Sequence, residues 1–235
     1  VLPSGAEITG ELKANKLQGY GVMTWHTGAT YTGDWKDDLR HGLGIYRTPQ
    51  GTEYHGAWED GKRHGFGCYV NAIGEEYIGE WVDGKMQGMG RFSSATGDVY
   101  TGMFKNHKYH GVGIFSRSNG DKFTGFFEDG MASGIGVLTL GTGEKYKGHF
   151  NRNFRHGKGV CLYPNGSQYS GDWYRGSPDG FGVFVAPNGE RYIGQFGGGK
   201  KEGQGRYFFL DGSFYDGNFH KNLAEGFGVY YFASG

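Results

Sequence analysis

The feature that most constrains this chain is a repeat of constant length. The pattern Tyr/Phe-x-Gly-x-Trp/Phe begins at Tyr31, Tyr54, Tyr77, Tyr100, Phe123, Tyr146, Tyr169, Tyr192 and Tyr215, each 23 residues after the last. A second pattern, Gly-x-Gly, keeps phase from Gly19/Gly21 through Gly65/Gly67 to Gly226/Gly228, and a turn glycine recurs from Gly5, Gly28 and Gly51 to Gly212 and Gly235. No insertion breaks the register, so ten units fill the chain. Residues 1–30 hold a degenerate first repeat, in which Ile8 and Leu12 replace the aromatic pair. Residues 31–235 hold nine full-pattern units, expected to be part of a longer array.

Each unit reads as two short strands. Tyr54, Gly56 and Trp58 alternate with His55 and Ala57, the period-2 signature of a strand with one face set apart from the other. The following Glu59-Asp60-Gly61 supplies a residue able to take positive φ, a column that holds Gly84, Gly130 and Gly176 with Asn153 and Asn222 as substitutes. Gly65, Gly67 and Tyr69 are expected to form the matching face of the second strand, and a turn such as Pro164-Asn165-Gly166 leads into the next unit. Short turns join antiparallel neighbours. The expected fold is therefore all-β, an elongated single-layer antiparallel β-meander of tandem 23-residue hairpin repeats. About 20 strands at about 4.8 Å would make a rod-like array at most roughly 90–100 Å long.

Glycine alternating with large rings has a physical reading. A missing side chain leaves a slot that a ring from a neighbouring strand can cover, and the packing offsets the weakness of glycine in a strand. The second face mixes polar residues (Asp34, Glu80, His149, Asp172, Gln195, Asn218) with an apolar column (Val22, Ile45, Cys68, Ile114, Val137, Val160, Val183, Val229). That column is either strand filling or a docking surface.

Composition excludes several classes. Glycine supplies 49 of 235 residues, but only 5 are proline, which rules out collagen, and 17% aromatics rule out a flexible linker. Lys plus Arg and Asp plus Glu each number 24, so no net field gathers nucleic acid. No apolar run approaches the roughly 20 residues of a membrane-spanning helix. The spacing GxxxxGK from Gly56 to Lys62 imitates a phosphate loop, but it returns at Gly79 to Lys85 and Gly194 to Lys200. Arg63, Met86 and Lys201 stand where that loop needs Ser or Thr for magnesium. It belongs to the repeat.

The unit Tyr54-His-Gly-Ala-Trp-Glu-Asp-Gly-Lys-Arg-His-Gly-Phe-Gly67, followed by a Pro-Asn-Gly type of turn, resembles the MORN (membrane occupation and recognition nexus) repeat over nearly the whole chain. The resemblance implies a rod-like antiparallel array with no enzymatic activity and no cofactor. An uninterrupted array looks most like the cytoskeletal scaffold proteins of protists, which self-associate into dimers. That implies a cytoplasmic, cytoskeleton-associated protein, at the inner face of a membrane in one version, whose partners are itself and other cytoskeletal proteins.

The expected repeat core is typified by Tyr54, Trp58, Tyr77, Trp81, Tyr169 and Trp173. Phe208, Phe209, Phe214, Tyr230, Tyr231 and Phe232 crowd the last two units, and are expected to join a second copy through a two-fold contact. Among the cations, only Lys62-Arg63 and Lys200-Lys201 are dense enough to be candidate contacts for phosphoinositide headgroups, the rival reading to a protein scaffold. His41, His64, His110 and His156 form a ladder, but neighbours stand two strands, about 9–10 Å, apart, so none share a metal within one chain. A turn role is expected for them, with a metal bridging two chains through Cys161 and a histidine as the minor alternative. Cys161 otherwise reads as core filling, in a column held elsewhere by Tyr46, Tyr69 and Phe92.

Overall fold

A computed structural model describes residues 5–233. Two compact units, Val1–Ser118 and Asn119–Gly235, divide the chain. In the first, β1 (Glu7–Lys13), β2 (Lys16–Thr24), β3 (Thr30–Lys36), β4 (Leu39–Arg47), β5 (Glu53–Glu59), β6 (Lys62–Val70), β7 (Glu76–Val82), β8 (Lys85–Ser93), β9 (Val99–Lys105) and β10 (Lys108–Ser116) pair successively, every pair antiparallel. The second repeats the scheme with β11 (Lys122–Glu128), β12 (Met131–Thr139), β13 (Lys145–Asn151), β14 (Phe154–Leu162), β15 (Gln168–Tyr174), β16 (Ser177–Val185), β17 (Arg191–Gly197), β18 (Lys200–Phe208), β19 (Phe214–His220) and β20 (Leu223–Tyr231). The all-β meander of hairpin repeats is as the sequence predicts. The turn glycine Gly235 and the first four residues of the degenerate repeat lie outside the described residues.

The tight turn of each hairpin places two residues at positive φ, as at Asp60 (47°) and Gly61 (78°) or Arg152 (48°) and Asn153 (71°). That is the two-residue turn whose twist matches its strands, and it explains Asp and Asn beside Gly in those columns. Asn adds a further bond, since the Ala132 N–H donates to Asn153 Oδ1 at 2.7 Å and ties the turn to the preceding repeat.

The two strands of a repeat differ in length, seven residues against nine, and the difference is taken up in one place. Gly56 pairs with Gly67 and Trp58 with Arg63, so Ala57 alone stands opposite His64, Gly65 and Phe66. Gly65 is exposed at φ 61°. This corrects the expectation that Gly65 shares the ring face with Gly67. It is a bulge residue, chosen for its backbone, whereas Gly67 is chosen for space.

The bulge leaves carbonyls turned out of the ladder, and the tyrosine satisfies one. Tyr54 Oη donates to the Ala57 carbonyl at 2.9 Å, as Tyr100 does to Met103 and Tyr192 to Gln195, both at 2.9 Å. The rings then interlock edge to face. In the first unit Trp35, Tyr31, Trp58, Tyr54, Trp81, Tyr77, Phe104 and Tyr100 follow one another with centroids 4.9–5.5 Å apart. A second zipper runs from Phe127 to Tyr215 through Tyr146, Trp173 and Tyr169. Each such pair contributes about 0.5–1.5 kcal/mol beyond its burial. Where the second ring is Trp, its indole N–H also bonds the preceding repeat, Trp58 to the Gly44 carbonyl at 3.3 Å and Trp173 to Gly159 at 3.2 Å.

Candidate interaction surfaces

With Tyr and Trp buried on one face, the residue between the paired glycines must point to the other. In the first unit that position holds Tyr20, Leu43, Phe66, Met89 and Val112, all exposed, Leu43 at 69% and Phe66 at 65%. They recur on every second strand, about 9.6 Å apart. Met103 stands opposite Met89 and is exposed too. In the second unit Lys158 and Gln204 interrupt the row. Sequence reading picked out the neighbouring column, Val22 to Val229, and missed this one, although the 23-residue period places it in plain register.

The C-terminal rings separate into two groups. On the outer face Phe214 contacts both Phe208 and Tyr231, stacking on Tyr231 with centroids 4.4 Å apart. Phe209, Tyr230 and Phe232 gather with Tyr207 on the ring face. Every residue of β20 is exposed, and among the described residues that strand pairs only with β19.

The dense cations are not equivalent. Lys62 is exposed and pairs loosely with Asp83 at 3.3 Å, and Lys200 is exposed. Arg63 is half-buried, its guanidinium 4.2 Å above the Trp81 ring and bonded to the Gly84 carbonyl. Lys201 lies 4.0 Å from the Tyr207 centroid, and burial pulls its ammonium below the usual lysine range. Arg63 and Lys201 serve as lids over the rings.

His64 Nδ1 lies 3.2 Å from Glu59, and His41 Nδ1 3.9 Å from Asp60 of the next turn. Among the described residues no three His, Cys, Asp or Glu side chains converge as metal ligands. Cys161 is fully buried against Glu144, Arg155 and Tyr163, and burial pushes its thiol up to about 11. A metal held between two chains through that sulfur would require the strand to open, which corrects the minor alternative. The small Cys161 leaves a slot that Tyr163, standing where Thr48 and Asn71 stand in other repeats, helps to fill.

The decisive comparison is with sequence families. The MORN repeat model matches ten consecutive segments, 9–30, 31–53, 54–75, 77–99, 100–122, 123–145, 146–168, 169–191, 192–214 and 215–235. The chain belongs to the MORN-repeat family. MORN repeats are linked to membrane-associated and cytoskeletal proteins, and the proteins that carry them are generally non-catalytic scaffolds. No curated protein sequence gives a significant match to this MORN array.

The solved structures that match are remote. The TCP domain of Drosophila melanogaster SAS-4 (dCPAP), in complex with a proline-rich motif of Ana2, is 12% identical at a TM-score of 0.40, over 64% of this chain and 82% of that one. The TCP10 domain of Danio rerio CPAP, with a STIL peptide, gives 10% and 0.30 over 90% and 84%. An inactive virginiamycin B lyase of Staphylococcus aureus gives 9% and 0.18 over 97% and 89%.

Proposed function

We propose that this MORN array is a non-catalytic scaffold that associates with a second copy of itself through β20 and organises a cytoskeletal or membrane-apposed structure by protein contacts. The observation that carries the reading is the pair of ring groups on the last hairpin, Phe208, Phe214 and Tyr231 on the outer face and Phe209, Tyr230 and Phe232 on the ring face, of which Tyr230, Tyr231 and Phe232 are exposed. Contiguous exposed aromatic surface of this kind marks a contact with another protein. A two-fold contact through β20 would bring both ring groups against their copies.

Light scattering on the intact chain tests this. The expected mass is twice 25.8 kDa, falling to 25.8 kDa when Tyr231 and Phe232 are both replaced by Lys with thermal stability kept. A chain that stays at the single mass at high micromolar concentration sinks the proposal. The rival, phosphoinositide binding, would draw on Lys62 and Lys200, because Arg63 and Lys201 are committed to rings. Flotation with anionic vesicles at physiological salt decides between the two, since about four to eight clustered cations are usual for such sites.

A further inference from the structure

The cations that cap the rings form an internal series. Arg40, Arg63, Arg155 and Lys201 occupy one column of the repeat, two residues after the tight turn. Eleven residues earlier, the corresponding column holds Ala29, Thr52, Glu144 and Glu190. In the second unit the acid offsets the cation's burial, by direct contact at Arg155 and through the field of Glu190 at Lys201. Glu144 forms an ion pair with Arg155, both side chains being largely buried, and Glu190, bonded to Tyr207 at 2.8 Å, stabilises the charge of Lys201. In the first unit the acid is missing. Arg40 has the same setting as Arg155, five repeats away: it lies 4.2 Å above Trp58 as Arg155 lies 5.2 Å above Trp173, and each carbonyl accepts the N–H of the next turn glycine. Yet no carboxylate among the described residues pairs with it, and of its five N–H groups only those on Nη2 find an acceptor, the Gly61 carbonyl at 2.8 Å.

Where Glu144 stands in the second unit, the first unit has a methyl group and a cavity. The cavity, about 580 Å³, is lined by Arg40, Ala29, Met23 and the rings of Trp25, Trp35 and Tyr46. Trp25 and Tyr46 meet edge to face at 6.0 Å, and among the described residues the Trp25 indole N–H has no acceptor. One acid, Asp38, also lines the cavity, but its Oδ1 is held by the Leu17 N–H at 2.7 Å and it makes no ion pair with Arg40. A half-buried guanidinium in an aromatic pocket is costly unless an anion meets it.

We propose that this cavity is a binding site for a carboxylate on a partner polypeptide, an acidic residue or a C-terminus flanked by apolar side chains, which takes the place that Glu144 fills beside Arg155. The apolar flanks pack on Trp25, Trp35 and Tyr46, and the planar guanidinium offers the paired donors that a carboxylate matches. The site deepens the protein-binding reading and rests on it, but it shares no residue with β20.

Titration of the intact ¹⁵N-labelled chain with blocked tripeptides tests the site, read at the Trp25 and Trp58 indole signals. Ac-Leu-Glu-Leu-NH2 and Ac-Leu-Leu-Leu-OH separate a side-chain carboxylate from a terminal one, and Ac-Leu-Gln-Leu-NH2 is the uncharged control. At least one carboxylate peptide is expected to bind tenfold or more tightly than the control. Ala29→Glu, which supplies the internal acid, should abolish that binding while raising the melting temperature. Arg40→Met, which places the residue found at Met86, should erase the advantage of the binding carboxylate peptide over the Gln control. Binding of neither carboxylate peptide above the Gln control, absence of any binding, or undiminished binding by Ala29→Glu overturns the proposal. Because light scattering reads β20 and the titration reads the cavity, failure of the dimer and failure of the site are told apart.

Discussion

The ring of Tyr77 lies across Gly90, so closely that a Cβ on Gly90 would sit 2.5 Å from Tyr77 Cε2. The same relation joins Tyr169 to Gly182, also at 2.5 Å. It explains why aromatic and glycine columns share one period: the ring needs bare backbone to lie flat on the sheet, and the bare backbone needs the ring to exclude water.

Gly90→Ala is therefore expected to destabilise the chain by about 3 kcal/mol, since neither the ring nor the strand can withdraw without breaking the zipper. Gly197→Ala is the control, as its nearest neighbours are Glu202 side-chain atoms at 3.5 Å and its φ is ordinary; a cost below about 1 kcal/mol is expected there. Urea midpoints for the two variants check the contrast.

Phe123 stands where other repeats carry tyrosine, buried but without a hydroxyl for the bulge carbonyl beyond it. Phe123→Tyr should stabilise the protein by about 1 kcal/mol, and Tyr192→Phe, which loses the 2.9 Å bond to Gln195, should cost as much. Thermal unfolding of the pair, with opposite signs, is the measurement.

Burial pushes the phenols of Tyr54, Tyr100, Tyr146 and Tyr192 up to about 12, and those of Tyr31, Tyr77 and Tyr169 higher still. Their folded values exceed the unfolded value of about 10, so the stability they contribute is complete below pH 10 and drains away as pH climbs from about 10 toward 12. Melting temperature should fall steeply across that window, with phenolate absorbance appearing together with loss of strand signal rather than before it.

Much of this was legible in the sequence, and particular residues show where legibility stopped. Tyr54, Gly56 and Trp58 announced their shared face because alternation along one strand needs no knowledge of a neighbour. Gly65 was misplaced because alternation fails at a bulge, where three residues stand opposite one. Arg63 and Lys201 were read with the exposed Lys62 and Lys200 because charge in a sequence implies solvent. Only the register reveals that these cations lie on rings of the same or the next repeat. The Arg40 cavity is harder still, since its signal is an acid absent at Ala29 and visible only beside Glu144.

Glu144→Ala should cost about 3 kcal/mol, because it strands the Arg155 guanidinium among Trp173 and Tyr146. Adding Arg155→Met should recover most of that loss, giving a strong coupling in a double-mutant cycle followed by chemical denaturation.

The indole bond from Trp35, Trp58, Trp81 and Trp173 to a glycine carbonyl fourteen residues upstream means that each module with tryptophan at this position grips its predecessor by the same handle. Within one unit of the fold, excising a whole module presents the next tryptophan with an identical glycine, so arrays of this kind can shorten or lengthen by 23 residues without relearning how to pack. A cut one residue longer or shorter turns each downstream ring outward into water. Evolution of such a chain by duplication is thereby held to integer steps.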